Sequence, residues 1–218
     1  MKHIVLYSNG AQSAYTAYFV AKKYGTKNLV LLYNPTGAEH PDSKRFASDI
    51  SELIGVEITE ISCGMDLWEL IEKEKFIPNP RAAFCTRQLK VIPARKYFKT
   101  LKEDFRVYLG YTKDEKCRAE RFLEANPDLN ARFPMIEKDL SAEDAKKKLI
   151  RLGIKLPESY LYFEHNNCIP CVKGGKNYFK QVLKYFPKQY QKMAELEKRF
   201  GHTVLKNISL EELTKEVA

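Results

Sequence analysis

The sequence predicts an α/β fold, a doubly wound, mainly parallel sheet over residues 1–153 with a small helical C-terminal extension over residues 154–218 packed on it. Three observations carry that expectation. Continuous apolar runs at residues 4–7 and 29–33, with a shorter one at 107–109, are of the kind buried on both faces of a parallel sheet. The stretches between them space their apolar residues for helices. Strand alternating with helix implies right-handed crossovers, and in such a sheet a ligand lies beyond the carboxyl ends of the strands.

The first strand ends in Ser8-Asn9-Gly10-Ala11-Gln12-Ser13, where an apolar run breaks into small and polar residues before a helix begins. Residues 14–24 put Ala17, Val20, Ala21 and Tyr24 on one stripe. The loop's backbone N–H groups and the helix dipole then converge on an anion near Gly10, with the hydroxyls of Ser8 and Ser13 adding hydrogen bonds. The spacing is neither the Walker pattern, which ends in Gly-Lys-Ser/Thr, nor G-x-G-x-x-G. On spacing alone, a strand-to-helix turn capped by serine explains the loop equally well. The second strand, residues 28–34, is broken by Pro35-Thr36-Gly37, and residues 41–54 carry Phe46, Ile50, Leu53 and Ile54 at helical spacing. Residues 57–61 alternate into a third strand, and residues 66–74 read as a short helix capped by Asp66. The carboxyl edge therefore collects residues 8–13, 33–40 and 62–65.

Residues 76–90 open with Pro78 and Pro80, which forbid regular structure, and read as a loop feeding a helix over residues 91–101. Arg81, Arg87 and Lys90 surround Cys85 there. Cationic neighbours lower a thiol's pKa and favour the thiolate, while a buried cysteine between surface bases is the equal alternative. Residues 106–110 make a fourth strand. Residues 111–121 read as a polar loop whose Lys113, Lys116, Arg118 and Arg121 reach toward phosphates, or else as a solvated helical face paired with Glu115 and Glu120. Residues 132–136 form a last strand. Ser141 caps the next helix with Asp144, and Gly153 ends it. Two amphipathic helices follow, one carrying Tyr178, Phe179, Val182, Leu183 and Phe186 and the other over residues 187–200.

A 44% hydrophobic content over 218 residues is ample for the core of one medium domain. Lys and Arg exceed Asp and Glu by 37 to 28, a formal charge of +9, which favours anionic partners, although a lysine-rich solvated surface gives the same excess. Lys173, Lys176, Lys180, Lys184, Lys188 and Lys192 spread a basic surface over the extension, the face expected to meet a nucleic acid. No apolar run is long enough to span a bilayer, and Met1-Lys2-His3 leads straight into a strand, so a cytoplasmic protein with no membrane partner is expected.

In that compartment five cysteines argue against a disulfide framework and for metal or redox chemistry. Two thiolates two residues apart, Cys168 and Cys171, converge in a turn and hold one side of a metal or cluster; Cys85 is the natural third ligand. His165 as a fourth completes a Cys3His zinc site, or is an ordinary hydrogen-bonded histidine. Cys63 and Cys117 read as small apolar or surface residues.

The order of these motifs resembles the phosphoadenosine phosphosulfate (PAPS) reductase-like family of the PP-loop adenine nucleotide alpha hydrolase superfamily. Residues 8–13 are similar to the PP-loop Ser-Gly-Gly-x-Asp-Ser, and closer to the PAPS reductase variant in which Gly-x-Gln follows the serines, as in Gly10-Ala11-Gln12. Asn9 stands in place of a glycine and Gln12 in place of the acidic residue of ATP-cleaving members. Thr36-Gly37, followed by Pro41-Asp42-Ser43-Lys44-Arg45-Phe46, resembles the family's Thr-Gly and Pro-Glu-x-x-x-Arg-Phe, one position tighter. Cys85-Thr86-Arg87-Gln88-Leu89-Lys90, Gly110, and the C-x-x-C followed by Lys173-Gly174-Gly175 complete the series.

The resemblance implies a PP-loop, Rossmann-like domain binding ATP or a PAPS-like adenine nucleotide through Ser8, Asn9, Gly10, Gln12, Ser13, Thr36 and Gly37, with magnesium admissible beside it. Iron-sulfur adenylylsulfate reductases carry a Cys-Cys pair and a distant C-x-x-C around a four-iron four-sulfur cluster. Phe84-Cys85 with Cys168 and Cys171 matches three of those four ligands. A three-cysteine cluster keeps one iron open, as in PP-loop tRNA thiolation enzymes that present sulfide to an activated base. The family's terminal Glu-Cys-Gly-Leu-His is absent from residues 213–218, which argues against PAPS or adenylylsulfate reduction. The leading expectation is adenylyl activation or sulfur transfer, with Cys85, Arg87, Lys90 and Arg118 as catalytic residues and an external sulfur or electron donor. A reductase of PAPS or adenylylsulfate using an external thiol comes second. A non-catalytic nucleotide- and nucleic-acid-binding module with structural zinc comes third.

Overall fold

A computed structural model describes residues 1–217. The chain begins with β1 (Lys2–Tyr7), α1 (Ala11–Tyr24), β2 (Leu29–Tyr33), α2 (Ser43–Ile54), β3 (Ile58–Glu60), α3 (Leu67–Glu74), α4 (Phe84–Thr86) and α5 (Ile92–Thr100). It continues with β4 (Phe105–Tyr108), α6 (Lys116–Ala125), β5 (Ala131–Arg132), α7 (Pro134–Glu137), α8 (Ala142–Arg151), α9 (Lys176–Tyr185), α10 (Pro187–Phe200) and α11 (Leu210–Val217).

All five strands are parallel, in the order β3-β2-β1-β4-β5. β1 is central: Ile4 pairs with Val30 on one side and Val107 on the other, and Ile4 and Val5 are fully buried. That double burial is why the strand reads as a continuous apolar run instead of alternating. After β3 the chain returns to the far side of β1, so the strand order reverses between β1 and β4. The carboxyl ends of those two strands form the switch point at which doubly wound sheets bind ligands.

The chain divides into two compact units. The first holds residues 1–34, 41–61 and 94–158, with the sheet and a core that includes Ile4, Leu32, Phe98, Val107 and Phe133. The second holds residues 35–40, 62–93 and 159–218. Its core gathers Leu70 and Ile71 of α3, Phe179 and Val182 of α9, Met193 of α10 and Leu213 of α11. The division is therefore discontinuous in sequence. Residues 35–40 and 62–93 leave the sheet to share a core with the C-terminal helices, a grouping that linear order conceals.

Other boundaries also differ from the sequence reading. Residues 84–91 are helical, α4 running into a π-helical turn at Arg87–Val91, because the block set by Pro78 and Pro80 ends a few residues after Pro80. Over residues 111–121 the helical alternative holds from Lys113 on, with Arg118 paired to Glu115. Thr112 and Glu115 form a capping box that starts a 3-10 turn, and α6 follows. The last strand is only Ala131–Arg132, since Pro134 at the first turn of α7 presets a helix. The Ser141–Asp144 capping box and the positive-φ stop at Gly153 stand as read.

A half-buried ion pair ties α2 to the segment after α8. Arg45 donates to Asp42 at 2.6 and 2.7 Å, to Asp49 at 2.5 Å, and to the carbonyls of Lys155 and Leu156 at 3.1 Å. Asp42, 11% exposed, also accepts the Glu158 N–H at 2.9 Å. The Arg45 hydrogen bond, opposed by burial and helped by the Glu158 N–H, holds the Asp42 carboxyl below its usual range. A depressed carboxyl pKa stabilises fully above the ordinary carboxylate range, and that stability is lost as pH falls through the depressed value. Arg45→Ala removes the charge partner of this carboxylate and should lower unfolding free energy by about 2 kcal/mol, read as a drop in urea midpoint at neutral pH. The difference from the native chain should shrink as Asp42 is protonated.

Candidate functional site

In the first unit the loop between β1 and α1 is built around a left-handed residue. Asn9 has a φ of 58°, a conformation that asparagine tolerates better than other residues with a side chain. This explains how it takes a glycine's place. Gly10 then enters α1 in an extended conformation, with no side-chain cap and no acidic residue in the first helical turn. The positive end of the helix dipole is left without a neutralising side chain, the condition for anion binding.

The serines do something different from the sequence expectation. Ser13 Oγ donates to the Gly10 carbonyl at 2.9 Å and accepts from Ser8 N–H and Ser8 Oγ–H at 3.1 Å each. Both hydroxyl hydrogens are committed to closing the loop, so an anion here would be held by backbone N–H groups. Ser13 is 4% exposed, whereas Ser8 is exposed and Gln12 half-buried.

Across the switch point, the exit of β4 packs against this loop. A Cβ on Gly110 would lie 2.8 Å from Gln12 C and Ser13 N and 2.9 Å from the Gln12 carbonyl oxygen. Gly110 is therefore required by the close approach of two backbones. Arg118 is exposed, paired with Glu115 at 2.5 Å, and lies over the Tyr111 ring at 4.3 Å. Its charge is already engaged within α6 and its approach.

In the second unit, Cys85, Cys168 and Cys171 come within electrostatic reach of one another. Cys85 is carried on α4, and the pair on the turn before α9. Tyr178 on α9 grips that turn, its hydroxyl donating to the Cys168 carbonyl at 2.7 Å and accepting the Cys171 N–H at 2.9 Å. Gly174 is needed because a Cβ there would overlap the Tyr178 ring. From the other side, Thr36 Oγ1 lies 3.1 Å from Cys168 Sγ, and the Ala38 carbonyl accepts the Ile169 N–H at 2.6 Å. Gly37 has a φ of 70°, and a Cβ on it would overlap Asp66, the capping residue of α3. Thr36 and Gly37, expected to serve the nucleotide, thus have partners in the cysteine centre and at the start of α3.

The Cys85 thiol is pushed up, not down: burial dominates, the neighbouring Cys168 and Cys171 add to it, and Lys173 opposes. Burial likewise raises Cys171, against the pull of Lys90 and Lys173. Arg87 is exposed and Lys90 half-buried. Lys173, which the sequence reading placed in the motif after the C-x-x-C and among the surface lysines, is thus a cation of the centre, and Tyr178, which it placed only in the core, is a hydrogen-bonding residue of it. His165 is exposed, while the charges acting on Cys85 and Cys171 come from the other cysteines, Lys90 and Lys173. Of the remaining lysines on this unit, Lys176 pairs with Glu216 at 2.5 Å and Lys192 lies over the Trp68 ring.

Among the described residues, no group of three or more His, Cys, Asp or Glu side chains is placed to hold a single metal ion. The donor set fits an iron-sulfur cluster, which is ligated by cysteine thiolates at separate irons and so does not need its ligands to converge on one point. Half-buried thiols with two lysines nearby also suit a group whose ligands are anionic. No helix of the described residues is long and apolar enough to cross a membrane.

Sheet order, switch-point loop and crossovers define a doubly wound, all-parallel α/β fold. Two solved structures share it. The U34-tRNA thiolase NcsA from Methanococcus maripaludis, solved with its 4Fe-4S cluster, superposes with a TM-score of 0.55 at 18% identity, covering 95% of this chain and 75% of that one. The PAPS reductase from Candida auris, a phosphate complex, gives a TM-score of 0.52 at 14% identity, covering 75% and 80%. By sequence, the chain is 25% identical over 184 residues to the uncharacterized protein MJ0973 of Methanocaldococcus jannaschii, covering 80% of this chain. It is 24% identical over 203 residues to the uncharacterized nin region protein ORF290 of Escherichia phage lambda, covering 79%. It spans 43% and 66% of the lengths of those two relatives. No protein-family model matches the chain.

Proposed function

We propose that the chain is a PP-loop enzyme that binds an adenine nucleotide and carries out adenylyl activation or sulfur transfer with a cysteine-ligated iron-sulfur site. The observation that carries this is the gathering of Cys85, Cys168 and Cys171, from stretches some eighty residues apart, beside Lys90 and Lys173. Fold alone would serve a reductase or a binding module equally well; three thiols and two cations in one place suit sulfur chemistry.

In this reading the open start of α1 binds a nucleotide phosphate through backbone N–H groups, and Arg118 offers charge to the acceptor when it leaves Glu115. An acceptor oxygen attacks the α-phosphorus of ATP, a new P–O bond forms, and the bond to the β-phosphate breaks to release diphosphate. A sulfide supplied from outside then displaces AMP, forming the new bond to sulfur as the bond to the AMP oxygen breaks. Cys85, Cys168 and Cys171 would hold the cluster, which with three protein ligands supplies an open iron position for sulfur. Lys90 and Lys173 balance the charge of the thiolates. The acceptor class is nucleic acid, tRNA or DNA, favoured by the net charge of +9.

The test is anaerobic purification followed by iron and acid-labile sulfide assays, then diphosphate release from ATP with sulfide and bulk tRNA or DNA. Iron, sulfide and acceptor-dependent diphosphate are expected. Sulfite release from PAPS would instead make the chain a reductase, and nucleotide binding with zinc and no turnover would make it a binding module.

A further inference from the structure

Thr36 is 2% exposed, and three polar groups converge on its one hydroxyl. Its Oγ1 lies 2.7 Å from Glu39 Oε1, 3.4 Å from the Ala38 nitrogen and 3.1 Å from Cys168 Sγ. A threonine hydroxyl offers one hydrogen and two lone pairs. A carboxylate only accepts, so the hydrogen goes to Glu39. The Ala38 N–H occupies one lone pair, and Cys168 Sγ faces the other.

The surroundings are fixed independently of that hydroxyl. The Thr36 carbonyl accepts the Leu67 N–H at 2.7 Å, and Glu39 Oε1 also accepts the Thr36 N–H at 2.7 Å. Glu39 would therefore keep a donor if the hydroxyl turned away. Reorienting the hydrogen requires rotation about one C–O bond and no movement of the backbone.

We propose that Thr36 is a positioning residue for Cys168, whose hydroxyl turns from Glu39 to the sulfur when Cys168 ligates metal. The inference rests on the cluster reading above. A ligating sulfur has lost its proton. With the hydrogen still on Glu39, Thr36 Oγ1 and Cys168 Sγ would then face each other as two acceptors 3.1 Å apart. Turning the hydrogen to the sulfur removes that repulsion and leaves Glu39 on the Thr36 N–H. A donor to a ligating sulfur stabilises the more negative, reduced state of a cluster and so raises its potential. Thr36 would thus both hold Cys168 in place and set the potential of the centre.

Thr36→Val keeps the shape and removes the hydroxyl, and Thr36→Ser restores it. After identical anaerobic reconstitution, Thr36→Val should show a midpoint potential shifted to more negative values, with Thr36→Ser at the native value. Loss of iron in Thr36→Val but not in Thr36→Ser would equally support the proposal. An unchanged potential in Thr36→Val overturns it and leaves the cluster reading intact. A native chain that binds no iron overturns the cluster reading instead. In that event alkylation of Cys168 in the metal-free chain, followed peptide by peptide with iodoacetamide, decides the role of Thr36. A several-fold slower reaction in Thr36→Val than in Thr36→Ser would preserve the contact as functional, and equal rates would end it.

Discussion

Cys85→Ala, Cys168→Ala and Cys171→Ala chains should each come out of anaerobic purification with little iron and no broad sulfur-to-iron absorption, while Cys63→Ala and Cys117→Ala keep both. Three thiols act on one another in a single compact unit, so losing any one removes a third of the protein's ligands. Cys117 is exposed on α6 in the other unit, and Cys63 points its thiol at the Met65 carbonyl at 3.6 Å. Since perturbing a group one shell removed from a metal already costs roughly 10–100-fold in affinity, removing a ligand should cost more. Lys173→Ala should give an intermediate loss, because it removes charge compensation without removing a ligand. Native iron content in any one of the three alanine variants would show that this cysteine is a bystander, and in all three that the shared centre does not exist.

The parts of this molecule that were legible in the sequence are those set by local pattern. β1 and β2 announce themselves as apolar runs because both faces are buried, and the Ser141–Asp144 capping box spells out its own hydrogen bonds. Thiol chemistry puts Cys85, Cys168 and Cys171 forward as one candidate ligand set, and the fold brings the three within electrostatic reach while packing Cys85 and Cys168 against an apolar core. Less was legible wherever burial or long-range contact decides. Counting the bases beside Cys85 predicts a lowered thiol pKa, but burial outweighs those charges, and burial is a property of the fold.

Thr36 shows the same limit from another direction. Its motif pointed to the nucleotide, yet its hydroxyl meets a cysteine 132 positions away, and nothing in a single sequence encodes that pairing. Ser13 was readable as a hydroxyl near phosphate, but not as a hydroxyl turned inward to close the loop. Tyr178 sat in an amphipathic pattern that explains its ring and is silent on its hydroxyl, the part that grips the C-x-x-C turn.

Gly110→Ala should abolish most nucleotide binding without touching the iron content. The atoms that an added Cβ would meet at 2.8 Å are backbone atoms of Gln12 and Ser13, which cannot swing aside as the end of a long side chain can. Either β4 or the loop must shift, and overpacking of this kind costs about 1–3 kcal/mol in stability. The loop is the softer of the two, since β4 is hydrogen-bonded on both sides while the loop is closed by the Ser8, Ser13 and Gly10 contacts. Its displacement would pull apart the backbone N–H groups proposed to hold phosphate, and affinity for ATP should fall by at least about tenfold, equivalent to about 1.4 kcal/mol. Calorimetric titration of ATP or PAPS into native and Gly110→Ala chains reads this directly. Iron in the same preparations reports on the other unit and separates a local lesion from general misfolding. Native affinity in Gly110→Ala would mean that the nucleotide does not use this loop, and the switch point between β1 and β4 would lose its role as the binding edge.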